Sequence, residues 1–272
     1  MDVRAEIGRF GLRLQKSLGQ NFLHDETVAE RLIENAHLDS SDVGLEVGPG
    51  LGFLTGLLVE KAGLVHAVEK DRRLASILRE KFEGNKRLNI IQGDFLKVSI
   101  PRFSKVVSTP PYLISSRLIL FLSKRNFETA VLALQKEFAE RLSAKVGSSS
   151  YGRLSITAQE SMRVEMLDFI PRTSFYPQPG VDSRIVKLTP LPRPGRRWRP
   201  LFEELVREAF TQRRRLLRGA LRHYLRRAYG SEGAVILQKL SVPEKRVFQT
   251  TGSEFENLAK ELLPLVKPEQ QA

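Results

Sequence analysis

The sequence predicts an α/β fold built on a parallel β-sheet, followed by a smaller region made only of α-helices. Two observations indicate this fold. Short apolar segments alternate with amphipathic helical segments through most of the chain, and helical patterns alone follow a proline-rich segment at residues 190–195. Strands separated by helices of this length pair in parallel, with helices on both faces of the sheet. We therefore expect two domains, residues 1–192 and residues 193–272.

The predicted elements follow one another at regular spacing. The first helix, at 28–36, places Val28, Leu32 and Ile33 on one face. Strands are predicted at 43–47, 64–68, 88–92, 105–108, 130–134 and 184–188. Helices are predicted between them at 53–61, 71–81, 116–123 and 136–144, and in the second domain at 200–228, 234–240 and 254–266. Ligands of such sheets bind at the carboxyl ends of the strands, so the residues that follow each strand are the candidates for function.

Composition excludes several classes of site. The chain of 272 residues has no cysteine, which excludes disulfides, thiolate metal sites and cysteine nucleophiles. The four histidines lack metal-ligand spacing, and we expect no metal. They are His24, His37, His66 and His223. No apolar run reaches the length of a membrane span, so we expect a cytoplasmic protein, and we expect a monomer.

The charge of the chain indicates a polyanionic partner. The net charge is +13, and residues 193–227 hold twelve arginines against three glutamates. Such a run is in many proteins only a solvated surface. Here Arg213, Arg214, Arg215 and Arg218 concentrate the charge on one predicted helix, and we interpret them as contacts to the phosphates of a nucleic acid.

A Gly-Pro-Gly-Leu-Gly turn follows the first predicted strand and begins at Gly48. Glycines at this place let the backbone approach a ligand at a helix N-terminus, with Gly50 in the middle of the turn. The turn lacks the Lys-Ser/Thr pair of a phosphate loop and departs from the dinucleotide pattern. It therefore suits a small adenosyl cofactor better than a pyrophosphate.

Two further strand ends carry groups that can bind an adenosyl moiety. Glu69 ends the second strand, 21 residues after Gly48, where a carboxylate can accept both ribose hydroxyls. Asp94 follows the third strand and can accept a hydrogen bond from the adenine amine, and Phe95 can stack on the ring. Each residue alone is typical of a surface acid or an ordinary turn, but the ordered series favours a ligand site.

The fourth strand ends in Thr109-Pro110-Pro111-Tyr112. An adenine amine is a poor nucleophile because its lone pair is delocalised into the ring. Hydrogen-bond acceptors on its hydrogens, such as the Pro110 carbonyl, and an aromatic face such as Tyr112 favour a more reactive nitrogen. Taken alone, the segment is also consistent with a simple proline turn closed by a packing tyrosine.

Together these motifs resemble the small-subunit ribosomal RNA adenine dimethyltransferase family (KsgA type). The resemblance includes Lys-Ser-Leu-Gly-Gln-Asn-Phe-Leu at 16–23 and Phe-Tyr-Pro-Gln-Pro-Gly-Val-Asp-Ser at 175–183. It also includes Ala209-Phe210 with the arginines that follow, so it spans residues 16–263. It implies a Rossmann-like class I methyltransferase sheet with a small all-α C-terminal domain. S-adenosylmethionine would be the methyl donor and S-adenosylhomocysteine the product.

The resemblance also implies roles for individual residues. The cofactor site would contain Gln20, Asn21, Leu23, Gly48, Gly50, Glu69, Asp94, Phe95 and Thr109. Catalysis would depend on Thr109, Pro110, Tyr112 and Phe175, with the target base between the two aromatic rings. The implied substrate is an adenine pair near the 3′ end of small-subunit ribosomal RNA, and the implied partner is a precursor of the small ribosomal subunit.

The departure from the family pattern that bears on catalysis is at residue 109. The family's turn usually begins with Asn, where this chain has Thr109, and a hydroxyl replaces a planar carbonyl acceptor. This change affects the expected rate and the number of methyl groups added. It also leaves open a ribosome-assembly or nucleic-acid-binding factor with reduced or lost activity. A large-subunit ribosomal RNA methyltransferase is a further alternative.

Overall fold

The structure, a computed structural model, describes residues 2–15, 18–192 and 197–266. The chain forms two compact units. The first comprises Met1–Ala139 and Met162–Pro190, and the second comprises Glu140–Ser161 and Leu191–Ala272. Within the described ranges no helix combines the length and the apolar character needed to cross a membrane.

The first unit contains all the strands that the structure describes. They are β1 (Phe22–Leu23), β2 (Val43–Val47), β3 (Leu64–Glu69), β4 (Leu88–Gln92), β5 (Lys105–Ser108), β6 (Thr129–Gln135), β7 (Met162–Ile170), β8 (Phe175–Tyr176) and β9 (Ser183–Pro190). Seven of them form one sheet in the order β4-β3-β2-β5-β6-β9-β7. Only β9 runs opposite to the other strands of this sheet. The remaining two, β1 and β8, form a separate antiparallel pair.

The strand order places a topological switch point between β2 and β5. The chain runs outward from β2 through β3 to β4 and then returns to β5 on the other side of β2. Successive crossover connections therefore leave a crevice at the carboxyl ends of these strands, where ligands of such sheets bind. The predicted α/β class is confirmed, and the strands predicted at 43–47, 88–92 and 105–108 have the observed bounds.

Helices cover the sheet of the first unit. They are α1 (Val3–Arg9), α2 (Glu26–Ala36), α3 (Phe53–Lys61), α4 (Arg72–Lys81) and α5 (Ser115–Leu122), and α6 (Lys136–Leu142) crosses the boundary between the units. Asp25 begins α2, and its carboxylate accepts the N–H of Val28. The buried face of α2 includes Leu32 and Ile33, which belong to the apolar core formed with β5 and β6. The spacing of these residues is the one that predicted the helix.

Several elements of the first unit were not predicted. The longest is β7, the edge strand of the sheet, where Arg163, Glu165 and Asp168 interrupt the apolar pattern. Edge strands commonly carry such charges because one side of the strand is not paired. Helix α1 and the short β1–β8 pair also lack a distinct sequence pattern. The strands of the pair have two residues each, so only their pairing defines them.

The second unit is made of helices, as predicted. They are α7 (Arg153–Gln159), α8 (Arg199–Ala209), α9 (Leu217–Tyr229), α10 (Glu232–Lys239) and α11 (Gly252–Leu262), together with the end of α6. A single apolar core includes Tyr151, Phe202, Leu221 and Phe255. This core explains one difference from the predicted domains of residues 1–192 and 193–272.

The observed second unit contains Glu140–Ser161, which the prediction placed in the first domain. Tyr151 and Ile156 lie in the core of the second unit, and the Tyr151 hydroxyl donates to the Thr250 carbonyl at 3.1 Å. The second segment of the first unit ends at Pro190, whereas the predicted first domain ends at residue 192. Of the predicted linker, residues 193–196 lie outside the described residues.

The single helix predicted at 200–228 is wrong, because the chain forms α8 and α9, joined by a short 3₁₀ helix at Phe210–Gln212 and a turn. The carbonyls of Arg213 and Arg215 accept the N–H groups of Phe248 and Val247 at 3.2 and 3.0 Å. These carbonyls are thereby committed to another segment of the second unit. Pairing between distant segments overrides a local sequence that favours a continuous helix.

Glu46 is a buried carboxyl group inside β2. Its side chain is 1% exposed, and its Oε2 atom accepts the Thr55 hydroxyl of α3 at 2.6 Å. Burial, which disfavours the charged form, raises the pKa of Glu46 from 4.5 to about 8. The folded protein therefore holds a proton at this group over a pH range in which the unfolded chain has lost it.

We predict that Glu46→Gln changes how stability depends on pH. Between pH 4.5 and about 8 the folded state binds the extra proton, so this group's contribution to the free energy of unfolding falls as the pH rises. The amide of the variant cannot ionise. The free energy of unfolding of the variant should therefore rise relative to that of the wild type by up to about 1.4 kcal/mol per pH unit in this range. Urea denaturation at several pH values measures the gain. Glu60→Gln, at an exposed position of α3, is the control, and parallel profiles for wild type and Glu46→Gln would contradict the prediction.

Candidate active site

The carboxyl ends of β2, β3, β4 and β5 surround one cavity of about 300 Å³. All its lining residues belong to the first unit. Of the predicted site residues, the cavity brings together Gln20, Asn21, Gly48, Gly50, Glu69, Asp94, Phe95, Thr109, Pro110, Tyr112 and Phe175. Residues from distant parts of the sequence therefore meet at the switch point of the sheet.

The glycine turn after β2 allows the backbone to pass close to its neighbours. Gly48 and Gly50 have φ values of 76° and 60°, in the left-handed region that favours glycine. A Cβ atom at Gly48 would lie 2.7 Å from Cδ of Pro111, and one at Gly50 would lie 2.7 Å from the Phe22 ring. Any other residue at either position would push these neighbours away from the cavity.

Glu69, at the end of β3, is held by two backbone groups. Its Oε2 accepts the N–H of Gly50 at 3.2 Å, and its Oε1 accepts the N–H of Asp71 at 2.8 Å. The side chain is buried, and burial raises the pKa of Glu69 above its usual value. A carboxylate has about four acceptor positions, so both oxygens can still accept hydroxyl hydrogens from a ligand.

Asp94 lies beyond the end of β4 and is oriented from two sides. Its Oδ1 accepts the N–H of Leu96 at 3.1 Å, and its Oδ2 accepts the Lys70 ammonium at 3.0 Å. The hydrogen bond from Leu96 and then the one from Lys70 hold the pKa of Asp94 below its usual value. Asp94 is therefore an ionised acceptor. Beside it, Phe95 is buried, and its ring meets the edge of Phe121 with centroids 4.8 Å apart.

The segment before β1 closes one side of the cavity. The Gln20 side chain donates to Asp71 Oδ2 at 2.9 Å and accepts the N–H of Gln15 at 2.8 Å. Asn21 donates to the Gly19 carbonyl at 3.3 Å. Both line the cavity as predicted, whereas the first two residues of the motif at 16–23 lie outside the described residues.

Leu23 occupies a different position from the other predicted cofactor ligands. Its side chain is buried in the apolar core and lines a small pocket of about 20 Å³ beside the main cavity. It pairs in β1 with Phe175 of β8. Its side chain therefore supports the site through packing and strand pairing.

The turn after β5 presents the predicted catalytic residues. Tyr112 forms a hydrogen bond of 2.7 Å with the hydroxyl of Ser183, which is fully buried at the start of β9. Burial raises the pKa of Tyr112, so its hydroxyl stays neutral. Thr109 is half-buried and lines both the main cavity and the small pocket. Its hydroxyl makes no side-chain hydrogen bond with any residue that the structure describes.

Sequence analysis missed the residues that hold the predicted ones in place. Lys70, Asp71 and Ser183 are polar partners of Asp94, Gln20 and Tyr112. Lys70 and Asp71 have no sequence signal beyond proximity to a motif, and Ser183 belongs to the motif at 175–183 without any sign of its partner, because the contacts depend on strands that are distant in the chain. Across residues 2–15, 18–192 and 197–266, no cluster of three or more His, Asp or Glu side chains suits a metal ion.

The predicted RNA-binding arginines differ in their surroundings. The Arg213 guanidinium donates to the carbonyls of Tyr151, Ser148 and Ser149 at 3.1, 2.7 and 3.0 Å, and it lies over the Phe248 ring. These contacts give it a structural role inside the second unit. Arg214, Arg215 and Arg218 are exposed. Arg222 and Arg226, which continue the face of Arg218 at four-residue spacing along α9, are exposed as well.

Comparison with known proteins agrees with this geometry. The family model described as ribosomal RNA adenine dimethylase matches residues 11–256. A probable ribosomal RNA small subunit methyltransferase A of Thermococcus onnurineus is 42% identical over 257 residues, which cover 93% of each chain. A protein with the same description from Methanothermobacter thermautotrophicus is 37% identical over 264 residues, covering 96% of this chain and 95% of that one.

Solved structures give the same result. A dimethyladenosine transferase from Plasmodium falciparum is 31% identical, with a TM-score of 0.74 over 87% of this chain and 95% of that one. The 23S rRNA methyltransferase ErmE is 28% identical, with a TM-score of 0.63 over 89% of this chain and 99% of that one. The family model covers most of the chain, and the relatives match almost their full length. The chain therefore belongs to the ribosomal RNA adenine dimethylase family, whose members are S-adenosylmethionine-dependent methyltransferases.

Proposed function

We propose that this chain methylates the N6 amine of adenines near the 3′ end of small-subunit ribosomal RNA during ribosome biogenesis, with two methyl groups as the final product. One observation carries the proposal. The Thr109–Tyr112 turn, which can engage an adenine amine, opens into the same cavity as Glu69 and Asp94, which can hold an adenosyl group. The relatives of this chain at 37–42% identity carry names that specify the small subunit.

The cavity fits S-adenosylmethionine in size and in chemistry. Its volume of about 300 Å³ is at the lower end of ligand pockets. Glu69 offers two oriented oxygens for ribose hydroxyls, and Asp94 offers an ionised acceptor for the adenine amine. The glycine turn at Gly48 and Gly50 keeps side chains out of the space between these acids and the Pro-Pro-Tyr turn. When bound, S-adenosylmethionine supplies a methyl group on a sulfonium, which is a good leaving group.

The residues of the chain prepare the adenine amine for transfer. The Pro110 carbonyl and the Thr109 hydroxyl can accept its two hydrogens, which favours a localised lone pair on the nitrogen. Tyr112 and Phe175 offer aromatic faces for the base, and the Ser183 hydroxyl fixes the tip of Tyr112. After the first methyl group is attached only one hydrogen remains, so one acceptor suffices for the second transfer.

The exposed arginines of the second unit support a phosphate-binding surface. Arg214, Arg215 and Arg218 keep their predicted role, whereas the Arg213 guanidinium is committed to backbone carbonyls. Arg222 and Arg226 extend the surface along α9, with about 6 Å of helix between successive arginines. Evenly spaced cations of this kind suit the repeating charges of an RNA strand.

The two alternatives are less well supported. The first alternative is an enzyme that acts on large-subunit RNA. ErmE, which is such an enzyme by name, is 28% identical to this chain, a lower identity than that of the small-subunit relatives. A ribosome-assembly factor without activity depends on Thr109 alone. The other catalytic and cofactor positions retain groups suited to their roles around the cavity.

We predict that Glu69→Ala weakens S-adenosylmethionine binding by about 1–3 kcal/mol, because the ribose hydroxyls lose a charged acceptor. Isothermal titration calorimetry on the folded variant measures the change. Glu60→Ala, at an exposed position of α3, is the control. Unchanged affinity in Glu69→Ala would remove Glu69 from the binding site.

We predict that Thr109→Asn increases the rate of methyl transfer by up to roughly a hundredfold, because a planar carbonyl acceptor is worth about 3 kcal/mol in such a site. Thr109→Ser keeps a hydroxyl and should retain the wild-type rate, while Tyr112→Ala should be nearly inactive. Methyl incorporation into under-methylated small subunits, with mass spectrometry of the nucleosides, gives the rate and the product. An inactive wild type that Thr109→Asn does not rescue would favour the assembly-factor alternative.

A third prediction concerns the exposed arginines. Replacing Arg214, Arg215 and Arg218 by Gln should flatten the salt dependence of RNA binding by roughly 0.7–0.9 in logarithmic slope per lost phosphate contact. S-adenosylmethionine affinity should not change. The control replaces three exposed arginines of the first unit, Arg87, Arg102 and Arg163, and removes the same charge. Equal slopes for the two triple variants would show that total charge alone matters.

A further inference from the structure

An exposed leucine stands at the mouth of the active-site cavity. Leu113 is 67% exposed, although it directly follows the half-buried Tyr112 and lines the same cavity. An exposed apolar side chain is common on protein surfaces and alone carries no meaning. This one occupies a defined place at the entrance that the substrate must use.

The backbone holds Leu113 rigidly. It is the middle residue of a 3₁₀ turn, Tyr112–Ile114, which follows two prolines and leads directly into α5. The Ile114 N–H donates to the Pro111 carbonyl at 3.0 Å, and the Tyr112 side chain is tied to Ser183. The outward position of Leu113 therefore depends on fixed neighbours and not on a flexible loop.

The side chain of Leu113 also reaches across the entrance. A Cβ atom at Gly19 would lie 3.4 Å from its Cδ1 atom, so Leu113 lies against the segment that closes the other side of the cavity. Gly19 itself has no side chain to cover the leucine. The result is a small apolar surface beside the opening through which an adenine must pass.

A cation lines the same cavity. Arg117 of α5 is exposed and lines the same cavity as Leu113. Arg117 makes no ion pair with any residue in the described part of the chain. An apolar group and an unpaired guanidinium together suit a nucleotide, which has an apolar base face and a charged phosphate.

We propose that Leu113 is a wedge that packs against the base next to the target adenine, while Arg117 binds a phosphate of the same strand. This inference rests on the proposed function, which requires the adenine to leave its stack. Unstacking exposes the face of the neighbouring base. Leu113 covers that face and so offsets part of the cost, as apolar side chains do between base steps in other complexes.

The test compares two RNA substrates. Small subunits are reconstituted with RNA whose 3′ segment is ligated from a synthetic strand, either with normal bases or with abasic sites beside the target adenines. Leu113→Ala should slow methyl transfer about tenfold on the normal RNA and have little effect on the abasic RNA, where no neighbouring face needs covering. Leu113→Met, which keeps a long apolar side chain, should restore the rate. Val235→Ala, at an exposed position of α10, is the control.

Two further measurements separate the wedge from other roles. S-adenosylmethionine affinity in Leu113→Ala should equal that of the wild type, since a loss would mean that Leu113 contacts the cofactor instead. When the protein binds RNA that carries 2-aminopurine at the target position, unstacking raises the fluorescence of this base. The rise should be smaller with Leu113→Ala than with the wild type. Arg117→Gln should raise KM on both RNAs without changing kcat, because a phosphate contact acts mainly in binding.

The outcomes distinguish this inference from the proposed function. If Leu113→Ala loses the same share of its methyl-transfer rate on both RNAs, or loses none on either, while the wild type is active, the wedge is overturned. A wild type that methylates neither RNA overturns the proposed function and the wedge with it.

Discussion

The close passage of the backbone at Gly48 and Gly50 is the constraint on which the rest of the site depends. Pro111 occupies the space that a side chain at position 48 would need, and it belongs to the turn that carries Thr109 and Tyr112. The space of a side chain at Gly50 is taken by Phe22 of β1. Because β1 pairs with β8, this contact also fixes the strand that carries Phe175.

The same turn orients the first carboxylate of the site. The N–H of Gly50 donates to Glu69, so the backbone conformation that glycine permits also sets the direction of this side chain. A substituent on either glycine would therefore displace Glu69, the proline turn or the β1–β8 pair. Glycine is required here by three neighbouring structures and not by the turn alone.

The sequence was sufficient for those parts of the fold that repeat. The parallel strands and their helices have periodic apolar patterns, so their positions could be read directly. The sequence was insufficient where the conformation of one segment depends on contacts with a distant segment. The break between α8 and α9 exists because the carbonyls of Arg213 and Arg215 accept hydrogen bonds from the segment at 247–248, and the assignment of residues 140–161 to the second unit depends on Tyr151 packing in its core.

The site shows the same division. That Glu69, Asp94 and Tyr112 lie around one cavity was predictable because each stands at or after the carboxyl end of a strand. The contacts of Lys70 and Ser183 were not, because neither a lysine near a motif nor a serine inside one indicates its partner until the partner's position is known. Arg213 shows the opposite error, since a charge that suggests a phosphate contact satisfies three backbone carbonyls.

A difference in rigidity within the cavity bears on how it works. Glu69, Asp94 and Gln20 each have two protein partners, so the acceptors of the proposed cofactor site are set before any ligand arrives. Prior orientation of this kind lowers the reorganisation needed during reaction. Thr109, by contrast, has no side-chain hydrogen bond with the described residues.

This less constrained side chain belongs to the turn after β5, which faces the proposed base. The amine carries two hydrogens before the first methyl transfer and one before the second, so the number of acceptors that it can engage changes between the two transfers. A hydroxyl that can rotate can accept a hydrogen bond at one stage and turn away at the next. We infer that this part of the site tolerates a threonine because its substrate changes during the reaction, whereas the cofactor side, whose ligand enters each cycle unchanged, requires fixed partners.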